Sequence, residues 1–372
     1  MSIIRLSNEQ NLVRGEVRKF VTGELEPIAA DIERDRAVSA HILEGIARMG
    51  LFGLIVPEQY GGAGLDITSL CVALEELAKS CASLALMVAV NNCLVAQAIL
   101  KGDLDLGQVH REYLKRLAGG AVCGYAPFTD VDTAVQSYGL ESEGDQHYLT
   151  GKCDVVLAGM LAELFVVPVK TSESIALHLL VRDASVMNTY PVRTMGMRSA
   201  GTCGVELKRA PLAEQSCLLC GHDGHDVSLP LHGTARIAYS AIALGITEAS
   251  LDAAAKYSKQ RRQFGRAICE FPMVREMLAG IKTCVEESRL LVYDAASRAD
   301  AGEDHGAAAR IAFLRSCEGA VCSALNAIQI HGGYGYTRDY PVERHFRDAK
   351  SLQLLGEVPA DLKNKIAEEI LT

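Results

Sequence analysis

The sequence predicts an α+β fold in three consecutive parts: a helical domain over residues 1–120, a β domain over 121–230 and a helical bundle of the four-helix type over 231–372. Three observations predict it. Apolar residues recur at helical spacing up to about residue 120. Near Gly119 the texture changes to short β-rich runs separated by glycine and polar turns. Beyond Thr234 long alanine-rich helical patterns resume.

Ser7 followed by Gln10 has the spacing of a capping box and starts the first helix. Val13, Val17, Phe20, Val21 and Leu25 follow on one helical face. Leu43, Ile46, Leu51 and Leu54 mark a second helix and its exit. Val56 to Gly64 is a loop, because its proline and paired glycines cannot continue a helix. Leu70–Lys79 and Leu84–Lys101 return to helix. In the middle part, Leu164–Val169, Ile175–Val181 and Gly204–Leu207 read as strands. One long helix then begins around Ile237. Met273–Ala299 and Ala307–Ile330 form two more, the last ended by Gly332-Gly333.

Composition narrows the function. The net charge of -9 argues against a nucleic-acid partner, since phosphate binding needs a basic surface. The 12 cysteines are scattered without a disulfide framework and read as small buried hydrophobes in a reducing compartment. Met1 to Arg5 lacks the apolar stretch of a signal peptide, and Leu84–Leu100 is interrupted by Asn91 and Asn92, so the expectation is a cytoplasmic protein with no membrane span. Cys217, Cys220, His222 and His225 have metal-ligand chemistry, but such a compact run does not match the paired spacing of zinc sites, and no metal is expected.

Particular residues sit at the junctions of the three parts. Leu51-Phe52-Gly53-Leu54-Ile55-Val56-Pro57-Glu58 runs on to Tyr60-Gly61-Gly62. Met195-Gly196-Met197-Arg198-Ser199 precedes Gly204-Val205-Glu206-Leu207. Arg261-Arg262-Gln263-Phe264-Gly265 follows the first long helix, and Ala327-Ile328-Gln329-Ile330-His331-Gly332-Gly333-Tyr334-Gly335-Tyr336 leads to Pro341-Val342-Glu343-Arg344 and Arg347-Asp348-Ala349-Lys350. Together these residues resemble the acyl-CoA dehydrogenase family over nearly the whole chain.

The resemblance implies FAD as cofactor and an acyl thioester of CoA or of a carrier protein as substrate. It implies a homo-oligomer, a homotetramer or at least a dimer, with an electron-transfer flavoprotein as a possible redox partner. Residues matching Arg261, Phe264, Gln329 and Gly333 would hold the FAD of a neighbouring subunit. The guanidinium fork suits a pyrophosphate, and glycines such as Gly332 and Gly333 let a ligand approach the backbone closely. In the family reaction a carboxylate takes the α proton while hydride passes from the β carbon to flavin N5. Counting to the usual base position lands on Gly356. One inserted residue brings Glu357 there, so Glu357 is either the base or a charge at a helix entry near Pro359. Arg236 matches an arginine near the active site, or caps its helix in an ion pair. Asn91 and Asn92 fall where the family lines its acyl pocket, and either bond a polar acyl group or make packing bonds.

The flavin-contacting windows depart from the family. Tyr125-Ala126-Pro127-Phe128-Thr129-Asp130-Val131-Asp132 and Val155-Val156-Leu157 replace hydroxyl and indole groups largely by apolar ones. Tyr125 and Leu157 remain the expected flavin contacts. Two further readings stay open beside the dehydrogenase: a flavin oxygenase or other unusual reaction on a thioester, and a non-catalytic subunit that lends Arg261, Phe264 and Gln329 to a partner chain.

Overall fold

The computed structural model describes residues 5–102, 107–126, 134–171, 174–355 and 358–371. The N-terminal part holds α1 (Asn8–Phe20), α2 (Ala29–Asp35), α3 (Ala40–Arg48), α4 (Ile67–Ser80), α5 (Ala82–Ala89), α6 (Gln97–Gly102) and α7 (Gln108–Ala118). The capping box forms as expected. Ser7 Oγ accepts from the Gln10 amide at 3.1 Å, and Gln10 Oε1 accepts from the Ser7 amide at 2.9 Å. Between α5 and α6 the backbone widens into a π-helical stretch, Val90–Ala96, which contains both asparagines. The Ala82–Gly102 segment is long and apolar enough to cross a membrane, yet 94% of its apolar window is buried inside the fold, as is half of the window in Gly306–Tyr336.

The middle part is two four-stranded sheets. One has the order β1 (Cys123–Tyr125), β4 (Leu164–Lys170), β5 (Ile175–Val181), β8 (Cys217–Gly221), with β1 parallel to β4. The other runs β2 (Tyr138–Glu143), β3 (Gln146–Val156), β7 (Cys203–Leu212), β6 (Met187–Pro191), antiparallel throughout. Leu149, Val156, Phe165, Val167, Cys203, Val205 and Leu207 form the apolar core between them.

The helical bundle begins earlier than the sequence suggested. Helix α8 spans Gly224–Gln260, so it starts inside the segment assigned to the β domain and passes through Pro230. A short hairpin, β9 (Arg262–Gln263) and β10 (Arg266–Ala267), leads to α9 (Pro272–Asp300), α10 (Gly306–His331), α11 (Val342–Leu352) and α12 (Pro359–Leu371). Helices α8, α9 and α10 pack on one another, and α4 of the N-terminal part lies along α8. That seam is charged as well as apolar. Arg18 pairs with Glu76 at 2.8 Å, Lys79 with Glu248 at 2.7 Å and Arg289 with Glu75 at 3.2 Å, while the Tyr293 hydroxyl donates to Glu75. Burial pushes the Glu75 carboxyl up, against the pull of these partners.

All twelve cysteines are free, and seven of them are buried, among them Cys71, Cys93 and Cys123. Among the described residues no group of His, Cys, Asp or Glu could hold a metal ion.

Candidate functional site

The glycine pair does what its sequence position requires. Gly332 closes α10 with φ 60, a left-handed value that favours glycine, and a side chain at Gly332 or Gly333 would meet nothing within 4 Å. The backbone of this turn is therefore open to a ligand. It forms one wall of a cleft of about 530 Å³, together with Tyr257, Arg261, Gln263, Ile268 and Tyr334. Arg261 is exposed at the end of α8 and has no ion-pair partner among the described residues. An unpaired guanidinium beside open glycine backbone fits the pyrophosphate of a dinucleotide.

Gln329 and Phe264 are chain neighbours of the cleft-lining Ile330 and Gln263 but do not line the cleft themselves. Gln329 is exposed in the last turn of α10, where its carbonyl accepts from the Gly332 amide. Phe264 is 92% exposed with a positive φ of 51, and Tyr336 is 89% exposed.

The flavin-side residues are arranged differently. Tyr125 and Leu157 form an isolated bridge between β1 and the end of β3, each amide donating to the other's carbonyl at 3.0 Å. Their backbone groups are thus spent on each other, and their side chains are buried, leaving apolar surface as their contribution. Residues 127–133, which carry the rest of this window, lie outside the described residues.

Met195–Ser199 docks the β domain on α11. The Met197 amide donates to Asp348 Oδ1 at 2.6 Å and the Gly196 amide to Ser351 Oγ at 2.9 Å. A Cβ on Gly196 would sit 2.1 Å from the Arg347 carbonyl oxygen, so only glycine permits this approach. Arg347 pairs with Glu343 at 2.7 Å and Glu33 at 2.8 Å. Burial raises the Asp348 carboxyl to about 6, although the Met197 amide pulls it down. This docking fixes the end of α11. Gly356 and Glu357 themselves lie outside the described residues. Arg236 is buried in the first half of α8.

Asn91 and Asn92 make packing bonds, the second of the two roles their positions allow. Both are fully buried. The Asn91 side chain donates to the Ala121 carbonyl at 2.7 Å and accepts from the Cys123 amide at 2.9 Å. Asn92 donates to the carbonyls of Leu51 and Val88, at 2.8 and 2.9 Å, and accepts from the Ile55 amide at 3.1 Å. The two amides tie the Leu51–Ile55 loop and the entry to β1 onto the π-helical stretch.

Sequence reasoning missed the docking of Met195–Ser199 on Asp348, although both motifs were visible in the sequence.

Comparison with known proteins accords with this geometry. Residues 7–121 match the acyl-CoA dehydrogenase N-terminal domain and residues 222–370 the acyl-CoA dehydrogenase C-terminal domain. The short-chain specific acyl-CoA dehydrogenase of Clostridium acetobutylicum is 30% identical over 359 residues, 94% of either chain. The solved butyryl-CoA dehydrogenase of Megasphaera elsdenii superposes with a TM-score of 0.93 at 26% identity, covering 99% of this chain and 100% of that one. A chain solved in work on the electron transferring flavoprotein of Acidaminococcus fermentans gives the same TM-score at 27% identity, covering 100% of both. The helical, β and helical order is the fold of these proteins. The chain belongs to the acyl-CoA dehydrogenase family of flavin-dependent oxidoreductases.

Proposed function

We propose that this enzyme binds FAD and desaturates an acyl thioester between its α and β carbons. The observation that carries the reading is the open Gly332–Gly333 turn beside the unpaired Arg261, next to the bare Phe264 ring. FAD, when bound, supplies the acceptor for the hydride. From a second copy of the chain, Arg261 and Gln329, with the Gly332–Gly333 backbone, hold its pyrophosphate, and Phe264 packs on it. Tyr125 and Leu157 give the flavin an apolar floor. Glu357 takes the α proton, and Arg236 helps position the thioester. The acyl group is carried on CoA or on a carrier protein.

The assembly is a homotetramer, because a single copy leaves its aromatic surface in water and completes the cofactor site of its neighbour. The proposed location is the cytoplasm. An electron-transfer flavoprotein is the proposed acceptor, a reading supported by the structural neighbour from Acidaminococcus fermentans. Apolar Val155, Val156 and Leu157 favour one second reading. Without a hydroxyl donor to flavin N5, reduced flavin meets oxygen differently, and the reaction becomes an oxygenation of the thioester. Purification followed by flavin extraction tests the first claim: FAD should copurify at close to one per chain. Thioester-dependent dye reduction without oxygen consumption supports the dehydrogenase, whereas stoichiometric oxygen uptake supports the oxygenase. A colourless protein that cannot be reconstituted leaves only a non-catalytic subunit.

A further inference from the structure

A second and larger cavity, of about 920 Å³, shares one wall with the dinucleotide cleft. That wall is the pair Tyr257 and His331, whose rings stack 4.2 Å apart. The Gly332–Gly333 turn lines only the smaller cleft. In the larger one, α1, α2 and the turns between them face the C-terminal half of α8 and the start of α11.

Eight arginines and lysines and six carboxylates line this cavity, a surplus of two positive charges. Three of the acids are spent within the walls. Glu76 is held by Arg18 at 2.8 Å and Lys79 at 3.1 Å, Glu33 by Arg198 at 3.3 Å and Arg347 at 2.8 Å, and Glu343 by Arg347 at 2.7 Å. Some of the cations are not spent. Lys256 and Arg338 are exposed and make no ion pair among the described residues. Arg344 is half-buried in the first turn of α11, and among the described residues its side chain makes one hydrogen bond, from Nη1 to the Ala29 carbonyl at 3.1 Å. The rest of its five-donor fork is unused. Burial holds His331 and His345, which also line the cavity, below the usual histidine value, so neither adds charge at neutral pH.

A guanidinium drawn partly out of water with most of its donors unmet is costly, and a carboxylate meets it with two parallel N–H···O bonds. Charge balance limits the anion. A surplus of two suits one or two negative charges, whereas a nucleoside triphosphate carries more and meets Asp252 and Asp339 on the same walls. Val21, Ala29, Ala249, Ala253, Tyr257 and Tyr340 supply an apolar bed for a carbon body. The volume falls in the range of ordinary small-molecule sites, about 300–1,000 Å³. We infer that this cavity binds a small organic carboxylate with an apolar or aromatic body, its head on Arg344 and in the field of Lys256 and Arg338. The occupant ties the N-terminal helices to α8 and α11. The site is separate from the proposed thioester reaction, and the inference does not depend on that reaction.

Calorimetric titration of the purified protein with 4-phenylbutyrate, its neutral amide and ATP tests it. The carboxylate should bind about tenfold more tightly than the amide, the worth of a charge-assisted pair, and more tightly than ATP. Arg344→Gln keeps a donor for the Ala29 carbonyl and should bind the carboxylate about tenfold more weakly, with amide binding unchanged. The double variant Lys256→Ser, Arg338→Ser alters two exposed side chains that hold nothing in place, so it should fold as the wild type does and still bind the carboxylate severalfold more weakly. Equal binding of acid and amide by the wild type, no binding of the acid at millimolar concentration, tighter binding of ATP, or an unchanged carboxylate affinity in either variant overturns the inference.

Discussion

Asp348 offers a test of the docking between the β domain and α11. Its carboxyl is buried, accepts from the Met197 amide at 2.6 Å, and is raised from 3.8 to about 6. The folded chain therefore keeps this proton to higher pH than the unfolded chain does. Between about pH 4 and pH 6 the native state binds more protons, so stability falls as pH rises through that window. A shift of about two pKa units corresponds to about 3 kcal/mol, using 1.36 kcal/mol per unit. Asp348→Asn removes the titration while keeping an oxygen for Met197. The amide adds a constant offset, but that offset does not depend on pH. Urea unfolding of wild type and variant from pH 4 to pH 7.5 isolates the difference. It should move in the variant's favour by about 3 kcal/mol across the window. Parallel curves would refute the reasoning, because they would mean that the carboxyl ionises as it does in water and is not enclosed by the docking.

Three other perturbations follow from the packing. Gly196→Ala places a methyl against the Arg347 carbonyl and should cost about 3 kcal/mol in urea unfolding, with weakened flavin retention. Asn92→Leu leaves three backbone groups without partners and should cost roughly 2–4 kcal/mol, with acyl preference unchanged. A stable variant with altered acyl preference would return Asn92 to the acyl pocket. Phe264→Asp puts a charge on the bare aromatic surface and should yield smaller species in light scattering together with loss of bound FAD. A tetramer retaining its FAD would remove this surface from the assembly.

Much of the architecture was legible because it is written in local pattern. The Ser7–Gln10 cap, the apolar faces of α1 and α3, the strands at Leu164 and Ile175 and the stop at Gly332 all follow from spacing and turn chemistry. Strand β3 was not, since it is long and half exposed and its apolar positions are sparse. The start of α8 at Gly224 lies well ahead of the alanine-rich pattern from Ile237 that marked the helix in the sequence. At the site, Arg261 and the glycine pair were visible as motifs. Whether Asn91 and Asn92 faced a ligand or the backbone depended on what the chain brings within reach from distant positions, Leu51 and Ala121 among them. No local pattern encodes that.

The most direct test of the proposed chemistry is anaerobic stopped-flow mixing of the FAD-loaded enzyme with a short acyl-CoA thioester, in wild type and in Glu357→Gln. The account predicts rapid loss of flavin colour in the wild type. The variant, which keeps its FAD and the shape of the side chain but cannot accept the proton, should be slower by on the order of a hundredfold to ten-thousandfold. Equal bleaching in the two proteins would contradict the assignment of Glu357 as base, and the absence of bleaching in the wild type would contradict the dehydrogenation itself.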